Sequence, residues 1–257
     1  MVMKTNMTKE QLQKKRNDDA VVYKVMIALV LLCVALLGLR SLRDFYATMN
    51  GFSALYYKTP AIMIAGLVVA AAAGAVGLMV RKPACREVMP WIVVLGLMVS
   101  VTAWNMRLSG ADDFDFLYFL CCAILVQYII FQLYRWEFFL FSLSAVTAGG
   151  VFFSFSRGVY WTQKTVALVI ILALVVVCSS LAVAMASRNK GRLTIGKNRI
   201  VLLSAKSLPV LFYIANALWV VCTAAIPFLG GLFAYYCMFA AIAVEFVAAV
   251  YYTFQLN

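Results

Sequence analysis

The sequence contains no histidine, and only 10 of its 257 residues are acidic. Histidine is the side chain that most often serves as a general base or a metal ligand. Its absence excludes haem held by histidine, HExxH zinc sites and serine–histidine dyads. No Gly-rich phosphate loop occurs, and the few acids match no phosphate-handling or aspartyl motif. The sequence therefore predicts no enzymatic activity, no metal site and no cofactor.

Paired cysteines with metal-ligand spacing are also missing. The chain has seven cysteines, but none of them forms a CxxC pair. Six lie within apolar runs and the seventh, Cys85, lies in a short loop. Neither a disulfide framework nor a thiolate metal site is supported by this distribution. We interpret the cysteines as small apolar residues.

Charge of either sign is scarce. Charged residues make up 12% of the chain and hydrophobic residues 65%, whereas a typical soluble domain is about 25% charged. The net charge of +12 does not indicate nucleic-acid binding, because the basic residues stand between apolar runs and form no stripe with exposed aromatics. This composition predicts an integral membrane protein.

Apolar runs long enough to cross a bilayer recur along the chain. About 20 helical residues at 1.5 Å each span the ~30 Å hydrocarbon core. We predict an all-α polytopic bundle of about eight transmembrane helices over residues 20–257, preceded by a cytoplasmic tail over residues 1–19. The predicted spans are about 20–39, 60–80, 90–106, 114–134, 138–155, 165–186, 208–227 and 229–254.

Two features mark the ends of these spans. Pro60 and Pro90 stand where the second and third spans begin, the position at which a helix tolerates proline. The connection over residues 40–59 is the longest before the fourth span, and it is rich in aromatics. We expect this connection to be an interfacial segment or a short hairpin.

The distribution of basic residues predicts the orientation. Of the 22 Lys and Arg residues, 15 lie on the face that the N-terminus shares and 6 lie on the opposite face. Cytoplasmic loops carry the excess of Lys and Arg. We therefore expect both termini in the cytoplasm and the protein in the cell membrane.

Residues 187–207 form the most basic segment, with six Lys or Arg residues and no acid. Such a segment attracts anionic headgroups with ~1 kcal/mol per basic residue, and it could equally dock a membrane or cytoplasmic protein. Residues 200–203 are too short to span, and we expect them to lie along the inner leaflet. The candidate contacts with lipid or partner are Arg188, Lys190, Arg192, Lys197 and Arg199.

The loop before the fourth span is acidic, with Asp112, Asp113 and Asp115 within four residues. Three carboxylates so close could hold a divalent cation. The loop offers few other oxygen ligands, however, and acids at a helix start also suit the helix dipole. The dipole interpretation is preferred.

Glu245 is the main functional clue, because it is the one charge within the apolar run 228–254. An ionised carboxylate at this depth costs several kcal/mol, so a chain that keeps one pairs it, protonates it or uses it. Helical rise places Glu245 ~24 Å, Gln127 ~20 Å and Asn216 ~16 Å from the outer ends of their spans. We expect these three residues to form a proton, cation or cationic-substrate site if their helices adjoin. Tyr235 and Tyr236 are expected to line that site.

Glu245 also has a structural interpretation. It can be a neutral acid that bonds across helices, or a carboxylate satisfied by a basic residue of a partner subunit.

Two function classes follow from these interpretations. A compact bundle with short loops and Glu245 favours a small-molecule or ion carrier, or the membrane component of an importer. The alternative is a non-transporting scaffold or accessory subunit, which the basic segment 187–207 and the small residues Gly66, Ala70 and Gly74 favour.

Overall fold

The computed structural model describes residues 9–79, 83–109, 113–134, 136–189, 191–195, 198–203 and 209–255. Over these ranges the chain is almost entirely helical. Eight of its helices are long and apolar enough to cross a membrane. This confirms the predicted all-α polytopic bundle.

The helices have these bounds in chain order: α1 Lys9–Tyr46, α2 Met49–Tyr56, α3 Thr59–Met79, α4 Pro83–Ser109, α5 Phe114–Leu133, α6 Trp136–Ser156, α7 Gln163–Arg188, α8 Pro209–Leu229 and α9 Gly231–Gln255. Two strands, β1 Arg192–Ile195 and β2 Asn198–Val201, lie between α7 and α8. Helix α2 is too short to span a bilayer, and the other eight helices contain the candidate spans.

Several helices extend beyond the apolar runs that predicted them. Helix α1 begins at Lys9 and continues to Tyr46, and helix α4 begins at Pro83, so that Pro90 lies inside it. The connection 40–59 is mostly helical and contains α2 in place of a hairpin. The physical reason is that hydropathy marks the part of a helix that crosses the hydrocarbon, while backbone hydrogen bonding carries the helix past both interfaces.

The basic segment after α7 folds into an antiparallel hairpin, where we expected a stretch along the leaflet. Arg192 pairs with Val201 and Ile195 with Asn198. Gly191 initiates the hairpin with φ +80°, and its N–H donates to the Ala186 carbonyl at 2.8 Å. An added Cβ at Gly191 would lie 2.7 Å from the Leu203 carbonyl oxygen, so both conformation and space require glycine there.

The chain divides into two compact units, residues 35–119 and residues 1–34 with 120–257. In the unit of residues 35–119, α3 and α4 pack closely along small residues. A Cβ on Gly96 would lie 2.8 Å from the Gly66 carbonyl oxygen. The Ser100 hydroxyl donates to the Met63 carbonyl at 2.9 Å, which adds a hydrogen bond between the two helices.

In the other unit, α6 is the central helix and packs against α7, α8 and α9. Two thirds (67%) of its most apolar stretch is buried, against 33% for α8 and 17% each for α7 and α9. One core cluster surrounds Phe152 and Trp219, and a second surrounds Phe138, Phe141 and Phe212. The predicted site residue Glu245 lies on α9, whose closest neighbour is α6.

Candidate functional site

The Glu245 carboxyl group is buried in the bundle, and the residue as a whole is half-buried. Neither of its oxygens has a hydrogen-bond partner within the part of the chain that the structure describes. A buried polar group without a partner is uncommon and costs free energy, and a buried charge costs more. Glu245 is therefore either neutral in this state or in need of a positively charged ligand.

Two polar side chains from neighbouring helices accompany Glu245. Ser142 of α6 is fully buried and faces the carboxyl group, although the two side chains make no hydrogen bond of normal geometry. The Gln127 amide of α5 donates from Nε2 to the Ser142 hydroxyl at 2.6 Å. The Gln127 Oε1 atom is buried without a partner. We call these three residues the Glu245 cluster.

The Glu245 cluster offers oxygen atoms of three kinds, from a carboxyl, a hydroxyl and an amide group. Hard cations bind such oxygens, and a carboxyl group also binds a proton. Rotation of the Gln127 amide by half a turn exchanges its donor for its acceptor, so it can turn Oε1 toward the centre of the cluster. One carboxylate supplies a single negative charge, which matches a proton or a monovalent cation better than a divalent one.

Asn216 belongs to a different polar contact. Its Nδ2 donates to the hydroxyls of Ser180 at 3.0 Å and Ser179 at 3.4 Å, both on α7. Asn216 Oδ1 is buried without a partner in the described part of the chain. Asn216 therefore links α8 to α7, and the structure does not bring it to Glu245 as the sequence suggested.

Tyr235 and Tyr236 also lie away from the Glu245 cluster. Both side chains are exposed, and the Tyr235 ring packs against Phe239 with ring centroids 4.8 Å apart. Nine or ten residues separate them from Glu245, which is about 14 Å along the helix. The structure does not support their expected role in lining the site.

A second buried carboxyl group lies between α6 and α9, and sequence reasoning missed it. Glu137 is 4% exposed, and the Tyr252 hydroxyl donates to its Oε1 at 2.9 Å. Tyr252 is seven residues from Glu245, so the two lie on one side of α9 about 10 Å apart. The predicted spans 114–134 and 138–155 leave Glu137 between them. Two signals in the sequence were available. Glu137 stands in the first turn of α6, a position that suits a carboxylate. Tyr252 follows Glu245 by seven residues, which places both on one side of α9.

The remaining candidates that the structure describes lie near helix ends or in the hairpin. Arg188 and Arg192 are exposed, Arg199 is part of β2, and Lys190 and Lys197 lie outside the described residues. In the acidic loop, the Asp113 carbonyl accepts a hydrogen bond from Asn105 at 3.2 Å and Asp115 lies in the first turn of α5. Asp112 lies outside the described residues. Nowhere in the described ranges do three Cys, Asp or Glu side chains form a group that could hold a metal ion.

The eight apolar helices define the class of the chain, which is an integral, multi-pass membrane protein. Comparison with known proteins adds no narrower class. No protein-family model, curated protein or solved structure matches the chain.

Proposed function

We propose that the chain is a small membrane carrier in which Glu245 binds and releases the coupling ion. The observation that supports this proposal is the burial of both Glu245 carboxyl oxygens without a hydrogen-bond partner among the described residues. A purely structural glutamic acid would be expected to bond to a neighbouring helix, as Glu137 does with Tyr252. An unsatisfied carboxyl group inside a membrane span is instead typical of a group that exchanges a ligand.

The ligand of Glu245 is a proton or a monovalent cation in this proposal. A proton neutralises the carboxylate and lets its O–H donate to Ser142 or to Gln127 Oε1. A sodium or potassium ion would take oxygens from Glu245, Ser142 and Gln127, which lie on three different helices. Because the helices α5, α6 and α9 all contribute, ion binding would favour one arrangement of the bundle over another.

The test is an ion-flux measurement on proteoliposomes that contain the full chain or its Glu245→Gln variant. Proton flux is followed with a pH-sensitive dye inside the vesicles, and sodium uptake with labelled Na⁺. The expected result is ion flux above that of protein-free vesicles for the wild type and none for Glu245→Gln. The two readouts distinguish a proton from a cation.

Glu137→Gln is the matched control, because it removes another buried carboxyl charge from the same helix pair while keeping an acceptor for Tyr252. We expect this variant to retain the flux. If Glu245→Gln transports like the wild type, or if it alone fails to accumulate in the membrane, Glu245 is structural and the carrier proposal fails.

A non-transporting membrane subunit is the second candidate, and the exposure of α1 favours it. Only 6% of the most apolar stretch of the α1 span is buried within the chain, and Ile27 and Val30 are exposed. This helix could pack against another protein. Purification in mild detergent from the native membrane tests the idea. A stoichiometric partner that is lost with Val30→Trp supports it, and a chain recovered alone favours the carrier.

A further inference from the structure

A cleft of about 490 Å³ opens between α8 and α9. Its walls come from side chains between Leu211 and Leu218 on one helix and between Ala243 and Tyr252 on the other, and Phe141 of α6 also lines it. Apart from the hydroxyl groups of Tyr251 and Tyr252, these lining side chains carry no polar atom. The volume falls within the roughly 300–1,000 Å³ range of small-molecule sites.

The cleft lies in the membrane-spanning part of the chain and is open to the side. The lining residues Leu211, Ile214 and Val247 are all more than half exposed. An apolar cavity does not hold water, because water needs polar partners there. The natural occupant is therefore an apolar chain that reaches the cleft from within the bilayer.

The size of the cleft suits a lipid chain better than a helix. One turn of an α-helix, about 5.4 Å tall and about 10 Å wide with its side chains, occupies roughly 420 Å³ as a cylinder. A helix that crosses the bilayer has more than five such turns. The cleft could enclose about one such turn, so a spanning helix would leave most of its surface outside it, whereas a slender acyl chain can enter it.

The basic hairpin lies beside the cleft. Leu202 and Leu203, which follow β2, pack in the same core cluster as Phe141 and Phe212 of the cleft. The Leu202 N–H donates at 2.9 Å to the carbonyl of Gly191, the residue before the exposed Arg192. The whole segment 187–207 has six basic residues and no acid. The core cluster that walls the cleft is thus linked to the exposed Arg192 at one end of the bundle.

We propose that this cleft binds one acyl chain of an anionic phospholipid whose headgroup contacts Arg188 and Arg192. The side chains that line the cleft include none of the Glu245 cluster, and the proposal does not depend on the proposed transport function. Each basic residue near the headgroup contributes to the affinity for an anionic lipid and not to that for a zwitterionic one. The site therefore selects the headgroup by charge and holds the chain by burial.

Native mass spectrometry of the purified full chain tests the proposal with phosphatidylglycerol and phosphatidylcholine offered in equal amounts. We expect the wild type to retain one phosphatidylglycerol in preference to phosphatidylcholine. Ala243→Phe fills the cleft and is expected to weaken this binding more than about tenfold, since the loss of two buried methylene groups has that effect. Leu211→Trp, on the opposite wall, is a second cleft-filling variant should the first fail to fold.

Ala240→Phe is the matched control, because Ala240 is exposed on the same helix one turn away and does not line the cleft. It should bind phosphatidylglycerol like the wild type. Arg188→Gln and Arg192→Gln should each weaken the binding of phosphatidylglycerol about fivefold and leave phosphatidylcholine unchanged.

Three results would overturn the proposal. The first is equal retention of the two lipids by the wild type. The second is lipid binding by both cleft-filling variants that matches the Ala240→Phe control. The third is a stable dimer or protein complex whose bound lipid is unchanged by Ala243→Phe, because the cleft would then belong to a protein interface.

Discussion

Two buried carboxyl groups on the α6–α9 interface differ in their partners. Glu137 accepts a hydrogen bond from Tyr252, whereas both oxygens of Glu245 are without a partner among the described residues. A hydrogen bond to a charged group stabilises a protein by about 1.5–3 kcal/mol. The first residue thus holds the two helices together, and the second makes no such bond and is the residue to which we assign the coupling ion.

The Glu137–Tyr252 contact can be tested by its effect on stability. We expect Tyr252→Phe to lower the free energy of unfolding by about 1.5–3 kcal/mol, because it leaves a buried carboxyl oxygen without this donor. Unfolding in mixed detergent micelles measures the loss. Tyr134→Phe is the control, since the Tyr134 hydroxyl bonds to Thr253 at an exposed position at the same end of the bundle. An equal loss of unfolding free energy in both variants would show that the buried hydrogen bond between Tyr252 and Glu137 is no stronger than the exposed one between Tyr134 and Thr253.

At the scale of helices, the α3–α4 pair depends on the absence of side chains at its closest point. A Cβ on Gly96 would lie 2.8 Å from the Gly66 carbonyl oxygen and 3.0 Å from the Ala70 nitrogen. Both neighbours are backbone atoms and cannot rotate away. Such close approach between membrane helices increases the van der Waals contact that holds them together.

Gly96→Ala should therefore destabilise the α3–α4 pair. We expect a loss of about 1–3 kcal/mol, the usual cost of overpacking a close contact, measured by unfolding or by proteolysis of the reconstituted chain. Gly74→Ala is the matched control on the same helix pair, because its Cβ would lie 4.0 Å from the nearest side chain. Alanine there should be neutral or stabilising. A neutral Gly96→Ala would contradict the close packing of these two helices.

The sequence was sufficient to predict the eight spanning helices, because a chain in hydrocarbon must satisfy its backbone hydrogen bonds locally. It did not predict the hairpin of β1 and β2, whose short strands depend on each other and on the turn at Gly191. The hydropathy pattern also did not predict that α4 begins at Pro83, because apolar residues mark only the part of a helix that lies in the hydrocarbon.

The sequence predicted how deep the candidate site residues lie in the membrane, but not toward which helix each side chain turns. Counting residues placed Gln127 and Glu245 at similar levels, and in the structure Gln127 bonds to Ser142, which faces Glu245. Counting could not show that Asn216 turns toward α7. Helices that are apolar on every face carry no pattern that tells which side meets a neighbour. The partners of a membrane residue therefore follow from packing, which hydropathy and residue counting do not reveal.

At the scale of the whole molecule, the orientation rests on the excess of Lys and Arg on one face. We predict that residues near Tyr160 face outward and residues near Ser187 face the cytoplasm. Both side chains are exposed and thus open to labelling. A chain with its seven cysteines replaced can carry Tyr160→Cys or Ser187→Cys. A membrane-impermeant maleimide should label the first in intact cells and the second only after permeabilisation, and the reverse pattern would invert the topology.

The most direct test of an ion site at Glu245 is infrared spectroscopy of its carboxyl group. The full chain is reconstituted in lipid nanodiscs with isotopically labelled glutamate, and Glu245→Gln assigns the band. Reversible ligand exchange predicts a carbonyl stretch of the protonated acid that is lost and regained as the pH changes, or that Na⁺ or K⁺ displaces. A Glu245 band that responds to neither pH nor monovalent cations would contradict a coupling ion at this residue.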